Sequence, residues 1–290
     1  MTLRAARWLV AISSLLMFFS SSAFSVTITL GTIEESPQKG LAEFRPLAQY
    51  LKKEIGLENH IQFEVMVHNN LRQMKKSMAT GGVDIYIDSP LSVESVCSGG
   101  ACDIELRRWK NGVEKYHSVI FSRKDSGIAT EKDLVGKIIA FEEPFSTSSF
   151  LLPKSSLVVC CDISLMEKSG RSSGYIFSED DENTMVWVVR RKVDAGAMSE
   201  KSFHKYAKKR VKDLQIIHRT ISVPRHVLAM RSAMPTEYKN MIINVLTEMH
   251  NNDAGKIILK KFNKTAKFDL ISDQEKIDIT SISKYLSLNH

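Results

Sequence analysis

Between Val26 and Ile87 the hydrophobic period switches repeatedly between two and about 3.6 residues, and this alternation restricts the fold more than any other feature. Val26-Thr27-Ile28-Thr29-Leu30 alternates and is β-branched, the pattern of a strand. From Leu41, the apolar residues Phe44, Leu47, Leu51 and Ile55 recur at helical spacing, and Gly56 is expected to stop that helix. Ile61 to Val67 reads as a second strand. Leu71 to Met78 is a short helix ended by Gly81-Gly82, and Val83 to Ile87 is a third strand. A β-α-β-α-β order implies a mainly parallel sheet with right-handed crossovers and helices on its faces.

The pattern lengthens into extended segments between Arg107 and Arg123, including Tyr116 to Phe121, and then a second cycle begins. Its expected elements are a strand over Lys137 to Phe141, helices over Ser146 to Val158 and Asp181 to Arg191, and a strand over Val193 to Ala197. Leu214 to His218 and Val227 to Met230 read as extended. Tyr238, Met241, Ile242, Val245, Leu246 and Met249 give one apolar face to a helix opening near Pro235, and two helical segments follow. No internal repeat and no low-complexity linker is visible. Two αβ cycles joined by extended segments predict an α/β chain of two lobes with a cleft between them. Such a cleft takes ligands at strand ends and helix N-termini, and it can close by hinge motion.

The first 25 residues stand apart. Arg4 and Arg7 precede an apolar run from Trp8 to Phe19, and Ala23 and Ser25 supply the small-x-small pattern of a cleavage site before Val26. The run is too short for the roughly 20 residues that span a bilayer, so a cleaved export signal over 1–25 and a periplasmic mature chain are expected. Cleavage lowers the formal charge from +7 to +5, leaving 38 basic against 33 acidic residues. The basic run Lys205-Tyr206-Ala207-Lys208-Lys209-Arg210 with Lys212 reads as a solvated helix face. There is no nucleic-acid-binding pattern, and no nucleic-acid partner is expected. Cys97 and Cys102 bracket a small Gly-containing loop that an oxidising compartment can close as a disulfide, or that stays as two thiols. Adjacent Cys160 and Cys161 read as buried thiols or as members of a longer-range pair. The cysteines lack zinc-ligand spacing, and neither metal nor cofactor is expected. No GxSxG, HExxH or P-loop pattern is present, and no Ser–His–acid grouping can be argued from sequence.

The segment Asp133-Leu134-Val135-Gly136-Lys137 leads through a strand to Glu142-Glu143-Pro144-Phe145 and then Ser146-Thr147-Ser148-Ser149. Hydroxyls at a helix start either cap free backbone N–H groups or, with those groups, cradle an oxyanion. Taken with Gly31 to Pro37, Phe44 to Leu51, Gly82 to Ile85, Ser89-Pro90-Leu91, Pro153 and Val193 to Ala197, this segment resembles the phosphate/phosphonate-type substrate-binding proteins of ABC importers. These are two-lobed periplasmic binding proteins of the second type, and the resemblance runs from Val26 to about Phe268.

The resemblance implies that Ser146, Thr147 and Ser148 hold phosphonate or phosphate oxygens. It implies lobe 1 over 26–116 plus 224–290 and lobe 2 over 117–223. It also implies an acidic group near the ligand at Asp194, a structural role at the end of a strand being the alternative; Glu35 and Ser36 follow the first strand, where a ligand-facing loop is expected. The chain departs from the family where Asp88 falls near an expected pocket aromatic and Asp181 near an expected pocket histidine. Either the two carboxylates are solvated or cap helices, or they face a ligand that carries a cation besides its anion. The expected partners are a small anionic or zwitterionic ligand and a membrane protein. That protein is either an ABC permease or, in an alternative reading, a sensor such as a histidine kinase or cyclase. The chain is expected to be a monomer and not an enzyme, an exported hydrolase being the remaining alternative.

Overall fold

The computed structural model describes residues 25–144, 146–167 and 174–287; the export signal expected over 1–25 lies outside them apart from Ser25. The first β-strands are β1 (Val26–Ile33), β2 (Ile61–His68), β3 (Ile85–Asp88) and β4 (Cys102–Arg108), followed by β5 (Lys115–Tyr116), β6 (Ser118–Arg123) and β7 (Ile138–Phe141). Then come β8 (Met166–Glu167), β9 (Gly174–Phe177), β10 (Ala195–Ser199), β11 (Leu214–Arg219), β12 (Val223–Pro224), β13 (His226–Arg231) and β14 (Phe268–Leu270). The helices are α1 (Pro37–Leu51), α2 (Leu57–Asn59), α3 (Leu71–Thr80), α4 (Pro90–Cys97) and α5 (Leu152–Cys161). They continue with α6 (Asp181–Val189), α7 (Glu200–Ala207), α8 (Thr236–Glu248), α9 (Asp253–Lys261) and α10 (Asp273–Ser287).

The strands sort into two six-stranded sheets, ordered β14-β4-β13-β3-β1-β2 and β11-β6-β10-β7-β9-β8. Strands β1, β2 and β3 pair in parallel, as do β7, β8, β9 and β10. One antiparallel strand then joins each run, β13 beside β3 and β6 beside β10. Each of these strands follows a chain crossing between the sheets. The crossings pair with each other as the two-stranded ladder β5–β12, with Tyr116 opposite Val223.

Alternation along the strands gives each sheet two apolar faces, as its buried position requires. In the first sheet Ile85, Ile87, Leu228 and Met230 join the core with Phe44 and Leu47, while Tyr86, Val227 and Ala229 join the opposite core with Met74 and Val96. In the second, Ile139 and Phe141 face Phe150 and Leu157, and Ala140 faces Met185 and Val188. The result is a two-lobed α/β fold.

Three expectations change. Gly56 does not end the first helix, which continues as a wider turn over Lys52–Gly56 and then α2; left-handed His60 (φ 54°) closes it. Cys160 and Cys161 are joined to each other at the C-terminal end of α5, with Cys160 exposed. They are neither buried thiols nor a long-range pair, because Cys97 and Cys102 are joined in the other lobe (S–S 2.01 Å) and leave no other partner.

Third, a repeat does exist, in the residues that terminate elements. The Asn70 side chain caps α3 by accepting the Gln73 N–H, and Asp180 caps α6 by accepting the Asn183 N–H, both shifted by 110 positions. Asp84 accepts the Thr29 N–H in one sheet, and Asp194 accepts the Ile138 N–H in the other. Ser89 and Ser199 share the same shift and bond to Ser92 and Ser202, each at 2.9 Å. Caps need a specific acceptor, whereas a core position takes any apolar residue of suitable volume.

Candidate functional site

Both sheets present carboxyl-terminal strand ends to one cleft of about 760 Å³. Its walls come from the crossing segment (Asn111, Val113, Lys115, Tyr116, His117), from Ser89 after β3, from Arg225 after β12, and from the second lobe. The second lobe contributes Glu142, Ser146, Thr147, Ser148, Asp181, Ser199 to Ser202, and His204.

The turn after β7 is shaped by its own hydroxyls. Ser146 Oγ accepts the Ser149 N–H at 3.1 Å, the capping role a serine plays at a helix start. Thr147 and Ser148 N–H remain as first-turn donors that the helix cannot satisfy internally. The Ser118 hydroxyl donates to the Ser148 carbonyl at 2.5 Å and fixes the turn against β6. The Ser149 hydroxyl donates to Asp181 Oδ1 at 2.8 Å. Thr147 is buried and its Oγ1 has no hydrogen-bond partner among the described residues; the buried hydroxyl of neighbouring Tyr116 has none either. The two hydroxyls are neighbours, Thr147 acting as a donor that favours the ionised Tyr116, although their geometry falls short of a hydrogen bond. Burial pushes the Tyr116 ionisation upward, so it stays an O–H donor at neutral pH. An unmet buried polar group costs about 1–3 kcal/mol, and two that line one cleft mark a place where a ligand's oxygens fit.

The cleft's carboxylates lie on the second lobe, with Lys201 among them. On the second lobe, burial raises the Glu142 carboxyl pKa, with Asp181 and Glu143 adding repulsion. Glu200 is held by His117 and, at 3.0 Å, by Arg219. Opposite, the Arg225 guanidinium sits over the Tyr116 ring (5.2 Å) and has no ion-pair partner among the described residues. Beside it lie buried Arg108 and His226 and half-buried Lys110, whose ammonium is pushed down to about 8 by burial and by neighbouring Arg108 and Arg225. Burial beside these cations also keeps His226 neutral.

Ser146, Thr147, Ser148 and Asp181 thus meet in the cleft. Asp194 does not: it lies at the opposite end of the second sheet, with Oδ2 accepting the Ile138 N–H at 2.9 Å. There it fastens the end of a ladder, because an acid just before a strand sits at the strand's N-terminal end. Asp88 is next to the cleft-lining Ser89 but outside the lining, and accepts from the Tyr86 hydroxyl (2.8 Å) and the Ser89 N–H (2.6 Å). Glu35 and Ser36 are exposed and outside the lining, although the loop they form follows β1.

Sequence reasoning missed Arg225, Tyr116, His117, Glu142 and the Ser89 and Ser199 pair. Only the serines had a local signal, the matching Asp-x4-Ser-x2-Ser spacing at Asp84 and Asp194. It also missed Ser156–His218–Glu131, with Ser156 Oγ to Nε2 at 2.7 Å and Nδ1 to Glu131 at 2.8 Å. That group lies outside the cleft lining. Ser156 sits inside α5, where backbone amides are spent on the helix, so no oxyanion donors accompany it. It braces α5 against β11. Among the described residues, no group of three His, Cys, Asp or Glu is arranged for a metal ion.

Fold and cleft together define a two-lobed binding protein of the second periplasmic type. Residues 32–275 match the family described as ABC transporter, phosphonate, periplasmic substrate-binding protein, and the chain belongs to that family. Family members bind small ligands and deliver them to ABC permeases. The phosphate-import protein PhnD of Mycolicibacterium smegmatis is 28% identical over 144 residues, covering 48% of this chain and 44% of that protein. Among solved structures, XAC2383 from Xanthomonas citri, seen bound to chloride and also to ATP, superposes with a TM-score of 0.77 in both cases. Identity is 22–23%, over 91% of this chain and 98% of that one. PhnD1 from Prochlorococcus marinus in complex with methylphosphonate gives 0.62 at 17% identity, over 90% and 98%. At these identities the likeness establishes the fold.

Proposed function

We propose that this chain is a periplasmic binding protein that captures a small phosphonate- or phosphate-like oxyanion between its lobes and presents it to an ABC importer. The lobes are taken as 26–116 plus 224–290 and 117–223, with 1–25 removed on export. One observation carries the reading: the Thr147 hydroxyl and the first-turn amides line the same cleft as Arg225, and neither that hydroxyl nor Arg225's charge has a partner among the described residues. Hydroxyl and amide donors select oxygens, and the guanidinium supplies the balancing charge. Asp181 and Glu142 on the same wall favour a ligand that adds a cationic group to its anion, a zwitterion such as an aminoalkylphosphonate. Asp181 is then read as a ligand group, and Asp88, Glu35 and Ser36 as contacts made on closure.

A thermal-shift screen of residues 26–290 tests this. A ligand at 100 times its Kd stabilises by about 2.7 kcal/mol. Phosphate, phosphite or a phosphonate is expected to raise the melting temperature, and aminoethylphosphonate more than ethylphosphonate. Equal shifts for the last two remove the zwitterion reading; no shift with any of them removes the oxyanion reading.

A further inference from the structure

The basic run that reads as a solvated face in the sequence forms part of a larger feature. At the end of the second sheet opposite the cleft, Arg123, Lys124, Arg191, Arg210 and Lys212 line a recess of about 470 Å³. Its acids are Asp125 and Asp213, and Asp125 is engaged by Arg123 (3.2 Å) and Arg191 (2.5 Å). Lys124, Arg210 and Lys212 have no ion-pair partner among the described residues, and neither do Lys208 and Lys209 just outside the recess. In the middle of these cations Val211 is 45% exposed. The strand β10 separates the recess from the cleft: its Ala195 end lies beside Ser122, and its Ser199 end beside Ser118.

We propose that this pole is a docking surface for an anionic phospholipid bilayer. Each cation near such a surface gains from the lipid phosphates. The cations sit at headgroup level while an apolar side chain between them enters the acyl boundary. Val211 is what separates a bilayer from a soluble polyanion as occupant, since a polyanion offers it no apolar contact. A pole placed there leaves the cleft free, so docking and ligand capture are compatible. The protein then searches for its membrane partner along a surface instead of through the whole compartment.

The test is sedimentation of residues 26–290 with vesicles of 7:3 phosphatidylethanolamine and phosphatidylglycerol, against pure phosphatidylcholine vesicles, at 0.1 M salt. The expected result is binding to the anionic vesicles alone, weakening as salt rises. The variant carrying Lys208→Gln, Lys209→Gln, Arg210→Gln and Lys212→Gln is expected to lose at least tenfold in partition. A control carrying Lys53→Gln, Lys76→Gln, Lys260→Gln and Lys261→Gln, with the same net charge, is expected to keep it. Equal losses in both variants, no preference for anionic vesicles, or pole-dependent binding to soluble polyphosphate without vesicle binding would each overturn the proposal. Both variants are first checked for an unchanged melting temperature, and Val211→Ser provides a milder arm that weakens vesicle binding if the proposal holds.

Discussion

Lys110 shows how a residue's surroundings, invisible in its sequence neighbours, set its chemistry. Its ammonium is buried beside Arg108 and Arg225, which holds its pKa near 8 against an ordinary value of 10.5. A base with a depressed folded pKa carries its proton at a cost to the fold below that value. Stability from this group therefore rises with pH between about 8 and 10.5. Lys110→Met is expected to raise the melting temperature at pH 7 and to flatten that rise; a lower melting temperature at pH 7 would mean the charge is satisfied. Asp194 and Thr147 separate structure from binding. Asp194→Ala removes the acceptor of the Ile138 N–H and is expected to lose about 1–3 kcal/mol of stability, with ligand affinity within twofold. Thr147→Val is expected to do the reverse, keeping the melting temperature of the free protein and weakening oxyanion binding. Calorimetry and chemical denaturation on both variants decide between them. At this scale the serine–threonine turn was legible because three neighbours carry it. Arg225 was not, because only the crossing of the chain at β12 brings it into the cleft that Thr147 lines.

Among the elements, α10 braces the helix that follows the binding turn. Ile279 and Ile282 pack in one core with Leu152 of α5, the helix that Ser146 to Ser148 introduce. Leu152 is 1% exposed and Ile279 fully buried. Ile279→Ala is expected to cost about 2–5 kcal/mol, read as a lower denaturant midpoint. The start of α10 is fixed by charge. Burial opposes ionisation of Glu275, but the Lys115 ammonium (2.9 Å), the Ser272 amide and hydroxyl, and Arg107 overcome it and hold the carboxyl down to about 2. A carboxyl with a depressed folded pKa contributes stability above its unfolded value, near 4.3, and loses it as pH falls toward 2. Glu275→Gln is expected to flatten the loss of stability between pH 5 and 2; an acid limb parallel to that of the parent chain would contradict this. Strands and long helices were legible from hydrophobic period. The end of α1 was not, since Gly56 lowers helix propensity without supplying the left-handed residue that stops it, and His60 takes that role. The repeat was hidden because it rests on caps such as Asn70 and Asp180, single polar residues with little pattern around them.

At the scale of the molecule, two sheets facing one cleft and joined by a two-stranded crossing make a device whose lobes can meet around a ligand. The two lobes were readable from the repeated αβ cycle, and the bulk positive charge said little about the cleft, where Glu142, Asp181 and Glu200 line the second lobe beside Lys201. Titration calorimetry of residues 26–290 with methylphosphonate and phosphate, beside Thr147→Val and Arg225→Gln, tests the central claim most directly. A hydrogen bond to a charged group contributes about 1.5–3 kcal/mol, so each variant is expected to bind about 10- to 100-fold more weakly. Unchanged affinity in both, or no heat from either anion with the parent chain, would contradict capture of an oxyanion between these two walls.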